Sequence, residues 1–430
     1  MNTKERFFKF VFPSMISSFI LGTFTIIDGL FIGQKVGDLG LAAINYAYPV
    51  TAFIQSVGFG IGISGAVLIS IAQGKKESDK KYIFNTYVCL LISIIIMLPI
   101  FLLAENNLLT LFGASKETLI LAKEYYRNII FATSMQVLSQ GLIPIIRNHS
   151  KNNTVMIGLI LGFVSNLILD YIFIYPLNMG LKGAAIATNL SQTITTIFCI
   201  IVLCQKEFRC KFVFDIKIIK KIFIGSFSPF GVSYSSNIVL IIINKAASFY
   251  SDALVAAYTA TSYVTYIVQK LIQGVADGVQ PLLSYSYGEN NKKDTKTFLK
   301  YSLILSFIIS LISLFIIILF RNNISKGYGL SNTAQNYYSY LIIFFSISFV
   351  FQAVMRIYMS FFYSIKKDIY SMIIVYGEPI IDLIIVLIFP RFINEYGIYI
   401  TMPVSNFILM ITSILLYKKS NKSLSKSFES

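Results

Sequence analysis

The chain has no tryptophan and a single histidine, His149. Its four cysteines, Cys89, Cys199, Cys204 and Cys210, lack metal-ligand spacing, which argues against a disulfide framework or a zinc site. Charged residues are scarce, 13% of 430, and no nucleophile, base and metal constellation of the kind an enzyme needs stands out. Apolar residues are what the chain has in excess. It is 56% hydrophobic with a mean hydropathy of +0.71, more apolar surface than a soluble fold of this length could hide. A formal net charge of +16 raises the question of nucleic acid, but the basic residues fall in short clusters between apolar runs. That distribution is a membrane-topology signal, so the expected surroundings are a lipid bilayer and no nucleic acid. With tryptophan missing, 27 Tyr and 37 Phe must supply the interfacial belts and any aromatic binding surface. The opening residues lead into an apolar run without a small-residue cleavage site, so no removable leader is expected.

Twelve apolar runs are legible, at about 8–33, 42–72, 83–104, 121–146, 153–176, 183–204, 218–249, 254–286, 298–320, 335–364, 369–389 and 396–417. With the N-terminus inside, the inner segments hold 25 Lys and Arg and the outer loops 8, so both termini are expected to be cytoplasmic. The chain also repeats itself. Pro13 matches Pro229 at a shift of 216, Ala42 matches Ala256 and Gly74 matches Gly288 at 214, and Asp170 matches Asp382 at 212. The expected fold is therefore an all-α integral membrane protein of twelve helices in two pseudo-symmetric six-helix bundles, 1–208 and 209–430. An even number of spans per half makes this a parallel repeat, a transporter design with alternating access.

Three stretches resemble one family. Residues 13–50, PSMISSFILGTFTIIDGLFIGQKVGDLGLAAINYAYPV, resemble the first-helix signature of multidrug and toxic compound extrusion (MATE) transporters. GVQPLLSYSYGENN at 278–291 and NLILDYIFIYPLNMGLKGAAIATNLSQ at 166–192 resemble the eighth-helix and the fifth- and sixth-helix motifs of their bacterial DinF-like and MepA-like branches. The resemblance implies a secondary antiporter in a bacterial inner membrane, expected as a monomer. It would export amphipathic, cationic organic compounds in exchange for H⁺ or Na⁺, with no other cofactor.

Five acids lie inside apolar runs: Asp28, Asp170, Asp277, Glu378 and Asp382. One carboxylate at the bilayer centre costs about 2.5–3.5 kcal/mol on insertion scales, so intramembrane acids are read as functional. Asn166 and Asp170, four apart, share a helix face with Gly162. Two readings of that face stand, a proton or cation site and a buried pair that glues helices. The family resemblance implies a cation-coupling site at Asp28, Asn166, Asp170 and Thr188, with Na⁺ at the first three as one option. In the second half the positions of Asn166 and Asp170 are held by Glu378 and Asp382, and Asn244 stands opposite Asp28, followed by Lys245. These acids bind substrate, serve as a second coupling site, or form a structural charge network with Lys245 or Arg356. Gln269, Gln273 and Asp277 line one face of the eighth run, and Gln352 and Arg356 are four apart in the tenth. In lipid such rows must face a cavity or one another. Pro13 is the hinge candidate, because its helix also carries Asp28.

A flippase for lipid-linked oligosaccharides, from the same wider superfamily, is the alternative. Its pyrophosphate substrate calls for a basic cavity, whereas here five intramembrane acids face three bases, Lys245, Lys270 and Arg356.

Overall fold

The computed structural model describes residues 2–36, 38–112, 116–328 and 330–427. The side chains of 24–26, 28–30, 33, 34, 36, 38–42, 45, 116, 117, 252 and 422–427 lie outside the described set. Among the described residues there are helices and turns and no strand. The helices of the first half are α1 (Thr3–Val36), α2 (Asp38–Gly74), α3 (Lys80–Leu103), α4 (Glu105–Leu111), α5 (Lys116–Phe131), α6 (Thr133–Asn148), α7 (Asn152–Ile174) and α8 (Gly180–Leu203). A 3₁₀ turn, Lys206–Phe208, precedes α9 (Ile216–Ser248), α10 (Asp252–Gly288), α11 (Lys292–Gly327), α12 (Asn332–Ser364), α13 (Asp368–Ile388), α14 (Pro390–Ile393), α15 (Tyr396–Tyr399) and α16 (Thr401–Ser427).

Each of the twelve apolar runs falls on one helix or on a bent or broken pair. Among the described residues nine segments are long and apolar enough to cross a bilayer, and ten when α5 and α6, bent by 53°, count as one span. The other two runs lie on α1 and α10, of 34 and 37 residues. Either exceeds the ~20 residues a crossing needs.

The helices are inside out relative to those of a soluble protein. On α11, Ser302, Ser306 and Ser310 are fully buried, while Ile304, Ile308, Leu311, Ile312 and Phe315 are exposed. Small polar residues let helices approach and bond across the contact, as Ser310 does by donating to Phe349 O (3.0 Å). The exposed aliphatic side chains are suited to lipid. The same division recurs on α13, where Ser371, Glu378 and Asp382 are buried and Ile373, Ile380, Leu383 and Leu387 face outward.

The repeat is visible in the turns. Among the described residues six non-glycine residues have positive φ: Lys76 (59°), Ser150 (63°) and Asn178 (49°), then Asn290 (57°), Lys366 (59°) and Asn394 (49°). Read in order, the first three match the last three along the repeat. This left-handed conformation closes helix ends by capping otherwise orphaned carbonyls. Lys76 and Asn290, for example, follow α2 and α10 at the same distance.

The described chain divides into two compact units, Ile20–Tyr234 and Met1–Phe19 with Ser235–Ser430. The 1–208 and 209–430 halves are the units of sequence repetition, whereas the compact units divide inside α1 and α9. Glycines show why. A Cβ on Gly274 or Gly278 of α10 would press into Met15 Cα (2.7 Å) or Val11 Cα (2.6 Å) of α1, so the two backbones touch there. In the other unit, Gly60 of α2 occupies the same position of the repeat as Gly274. Its Cβ would meet Ser226 O (2.8 Å) and Phe230 (3.0 Å) of α9. Hydroxyls extend that second contact: Ser64 donates to Ile222 O (2.8 Å), and the Ser56 and Ser233 hydroxyls bond (2.8 Å). In each unit, the start of a first helix from one repeat thus packs on the second helix of the other repeat. α1 runs unbroken through Pro13, and Ser17 donates to the Pro13 carbonyl (2.8 Å).

Candidate ion-coupling and substrate sites

In the Ile20–Tyr234 unit the site is built on α7 and α8. The buried side of α7 reads Val155, Leu159, Gly162, Asn166, Asp170 and Ile174, and its outer side Ile157, Leu161, Val164, Ile168 and Tyr171. Two glycines bring α8 close. A Cβ on Gly162 would collide with the Thr195 hydroxyl, and one on Gly158 would press on the Phe198 ring at 2.6 Å. Near the other end, Gly183 of α8 lies against Phe173. The helices are antiparallel, and these contacts fix their register. Interpolating between them puts Asn166 level with Leu190 and Ser191 and Asp170 level with Ile186 and Ala187, with Thr188 between those two levels.

Asn166, Asp170 and Thr188 are all buried, Asp170 at 1% exposure. The hydroxyls of Ser191 and Thr195 are spent on their own helix, donating to Thr188 O (2.8 Å) and Ser191 O (3.0 Å). The Thr188 hydroxyl and the Asn166 amide nitrogen have no hydrogen-bond partner among the described residues. Buried polar atoms of this kind are costly unless something else meets them. A carboxylate, an amide and a hydroxyl within about one turn of the paired helices suit a proton or a small hard cation. Neither α7 nor α8 brings a buried basic side chain; their only Lys or Arg, Lys182, is exposed. The side chain of Asp28, the remaining member of the expected set, lies outside the described residues.

The Ser235–Ser430 unit is arranged differently. Glu378 and Asp382 on α13 are buried with Arg356 on α12. The guanidinium stands 3.9 Å from Glu378 Oε2, a loose ion pair, and its Nη2 donates to Ser236 Oγ (3.2 Å). Ser235 donates to the same Glu378 oxygen at 3.4 Å. The two oxygens of Asp382 are buried and accept no hydrogen bond within 3.5 Å among the described residues. Ser405, the hydroxyl facing that carboxylate, instead donates to Met402 O (3.3 Å). The amide groups of Gln352 and Asn406 are also buried and unmatched among the described residues.

The structure does not place every expected residue in this cluster. Lys245 is exposed, in the last turn of α9, and joins neither acid. Among the described residues the base paired with Glu378 is Arg356, since Lys245 has reached the end of its helix. Asn244, one residue earlier, is half-buried with its Oδ1 sealed off. On α10, Gln273 donates to Asp277 (2.7 Å), so this pair is internally bonded, and Gln269 is half-buried one turn earlier. Lys270 sits over the Tyr266 ring at 5.1 Å, a cation–π contact. Sequence reasoning missed Ser235, Ser236 and Asn406. The run SYSSN at 233–237 was the available signal, a polar patch inside an apolar helix.

The MatE family model matches residues 13–172 and again 229–388. The chain belongs to the MatE family. The paired match starts at Pro13 and at Pro229, the landmarks of the internal repeat. The MatE chain is 27% identical over 286 residues to the multidrug export protein MepA of Staphylococcus saprophyticus, a match covering 65% of this chain and 63% of the relative. It is 27% identical over 299 residues to MepA of Staphylococcus haemolyticus, covering 66% and 65%. Among solved structures it resembles the outward-facing conformation of a multidrug resistance MATE family transporter of the MOP superfamily, with a TM-score of 0.93, 23% identity and 99% and 97% of the two chains covered. A MOP superfamily transporter from Pyrococcus furiosus, described as having a binding pocket of reverse polarity, aligns with a TM-score of 0.92, 22% identity and 99% and 97% coverage. At these identities the likeness to solved structures concerns the fold, which is the twelve-helix MATE architecture.

Proposed function

We propose that this MatE chain is a secondary active antiporter that exports amphipathic, cationic organic compounds by alternating access, driven by inward movement of H⁺ or Na⁺. The observation that carries the reading is the contact of α7 with α8: a buried acid, Asp170, with the unmatched Asn166 amide and Thr188 hydroxyl, between two helices that supply no buried base. Occupancy by H⁺ or Na⁺ would neutralise Asp170 and meet the two unmatched groups. Asp28 is assigned to the same coupling site on sequence grounds, and Pro13 is the hinge of its helix. The cluster of Glu378, Asp382, Arg356, Asn244 and Gln352, with Gln269, Gln273 and Asp277, is the candidate substrate or second coupling surface. A cationic compound would compete with Arg356 for Glu378, and the 3.9 Å separation of that pair leaves the contest open.

The name multidrug export protein carried by the MepA relatives supports the substrate class. The staphylococcal MepA relatives support a bacterial inner membrane, and the basic residues support cytoplasmic termini. Uptake of a fluorescent cationic dye into everted vesicles tests the proposal, with a pH gradient and a Na⁺ gradient imposed separately. Uptake driven by one of them is the expected result and names the ion. Dye movement indifferent to both, with lipid-linked oligosaccharide transferred between leaflets instead, would favour the flippase reading.

A further inference from the structure

The connection between α8 and α9 has a face that the transport reading does not use. Its inner side is fixed. Phe208 is buried against the His149 ring, with centroids 4.5 Å apart, and Lys151 pairs with Glu207 at 3.1 Å. Asn85, itself buried, donates to Val213 O (2.8 Å) and accepts from Asp215 N (3.0 Å), holding the backbone as a neighbouring strand would. Asp215 then caps α9 by accepting from Lys217 N at 2.8 Å.

The outer side is apolar and basic together. Phe212, Phe214 and the first residue of α9, Ile216, are 83%, 64% and 66% exposed. Around them Lys206, Arg209, Lys211, Lys217, Lys220 and Lys221 are all exposed, against two acids, Glu207 and Asp215, both engaged as described. The connection is short and joins the ends of two membrane-spanning segments, Gly180–Leu203 and Ile216–Ser248. It therefore sits at the level where hydrocarbon gives way to headgroups. The exposed stripe of α8, including Ile194, Ile197 and Ile201, leads into it from one side, and Ile216 and Ile224 continue it along α9.

We propose that residues 206–221 form an interfacial strap that inserts Phe212 and Phe214 into the leaflet and gathers anionic phospholipid headgroups with its six basic side chains. An aromatic pair alone would suit any bilayer. The basic ring selects an acidic one, because clustered Lys and Arg at a membrane surface are attracted to negative headgroups over about a Debye length. The proposal rests on the membrane reading but on neither the coupling ion nor the exported substrate.

The absence of tryptophan makes the test clean. Phe212→Trp and, separately, Phe214→Trp each place a single reporter in the full-length protein. Each variant is reconstituted in vesicles of phosphatidylcholine alone or with phosphatidylglycerol added, using brominated phosphatidylcholine as a quencher. Blue-shifted emission, quenched several-fold more in the acidic vesicles, is the expected result, with the difference shrinking as salt is raised. Adding Lys206→Gln, Arg209→Gln and Lys211→Gln to either reporter should remove the preference for phosphatidylglycerol. Solvent-like, unquenched emission from both reporters overturns the strap, as does quenching that is equal in the two vesicle types. Inorganic phosphate reproducing the effect of phosphatidylglycerol would also overturn it, since a free anion would then suffice. Flotation with the vesicles is scored independently, and protein that fails to float counts against membrane insertion itself.

Discussion

Asn166 and Asp170 on α7 and Glu378 and Asp382 on α13 hold equivalent positions of a repeat and have the same spacing, yet their surroundings differ. The C-terminal pair faces a buried guanidinium and two serine hydroxyls, with Glu378 held between Arg356 and Ser235. The N-terminal pair carries an amide where the other has a second carboxylate, and its packing partner α8 brings hydroxyls and no buried base. A buried acid beside Arg has its charge balanced within the fold, so protonation or metal binding gains little there. An acid beside amide and hydroxyl groups gains most from an added cation. The repeat places the two pairs at equivalent positions, and a few residue differences give them different chemistry.

The largest expected effect comes from removing the titrating group of the first pocket. Asp170→Asn keeps the shape and should reduce gradient-driven export to background while equilibrium dye binding stays largely intact. Asp28→Asn should do the same, by its sequence assignment. Vesicle transport and dye-binding titrations on the same preparations check both. A folded Asp170→Asn protein with normal active efflux would break the comparison at its strongest point.

Next come the substitutions that test whether the second pocket is a balanced pair. Arg356→Met leaves Glu378 buried without its counter-charge and should cost about 3–5 kcal/mol, typical of stranding one partner of a buried ion pair. Glu378→Gln in the same background should recover most of it. Thermal melts of the detergent-solubilised proteins give the double-mutant cycle. Glu378→Gln alone is also expected to weaken export of some substrates and spare others. Uniform loss together with low protein in the membrane would instead mark the network as purely structural.

A smaller effect is expected where α7 meets α8. Gly162→Ala puts a methyl group into the Thr195 hydroxyl and should cost about 1–3 kcal/mol, as overpacking does. Thr195→Ala should relieve it. The equivalent position of the second pocket, Ile374, is already a large buried side chain, so close approach at this level is particular to the first. Thr188→Ala is subtler. It should raise the Na⁺ concentration needed for half-maximal efflux in a sodium-coupled protein and change a proton-coupled one little, because a hydroxyl ligand matters more to a metal ion than to a carboxyl proton.

The smallest effect lies outside the membrane, in the turn after α2. Burial raises the pKa of the Asp79 carboxyl, but hydrogen bonds from His149 and Gln73 and the charge of His149 outweigh it, leaving the group below its ordinary 3.8. A depressed folded pKa contributes stability that is present above the unfolded value and is lost as pH falls through the folded one. The contribution of Asp79 should therefore be flat around neutrality and disappear only below that ordinary value. Asp79→Asn should flatten the acid limb of a melting-temperature profile and leave the neutral region lowered by a small constant. The matching turn after α10 is held otherwise, by Asn291 accepting from Asp294 N (3.0 Å) and donating to the Asp294 carboxylate (2.9 Å).

Much of this protein could be read without coordinates, for a physical reason. Lipid offers no hydrogen bonds, so each crossing must be a helix and each helix must be apolar, and twelve runs become twelve helical segments. The same scarcity made the acids conspicuous, since a carboxylate in such a run is too costly to be incidental. Asn166, Asp170, Glu378 and Asp382 are all buried, as their positions on the helix faces implied. Pairing between distant helices was a different matter. Lys245 and Arg356 look alike as bases in apolar runs, but one lies in the last turn of its helix and is exposed, and the other is sealed beside Glu378. Ser235 and Ser236 gained meaning only when α9 was set against α12 and α13.

The sequence by itself determined the helices, the repeat and which residues are expensive to bury, because these follow from the local cost of placing each side chain and peptide group in hydrocarbon. Only the tertiary structure decided that Gly60 and Gly274 carry the crossing of helices between repeats, that Gly162 of α7 meets Thr195 of α8, and that Arg356 is the base that answers Glu378. Those outcomes depend on how separate helices pack, where shape complementarity summed over whole helix faces selects the partner and no single residue announces it.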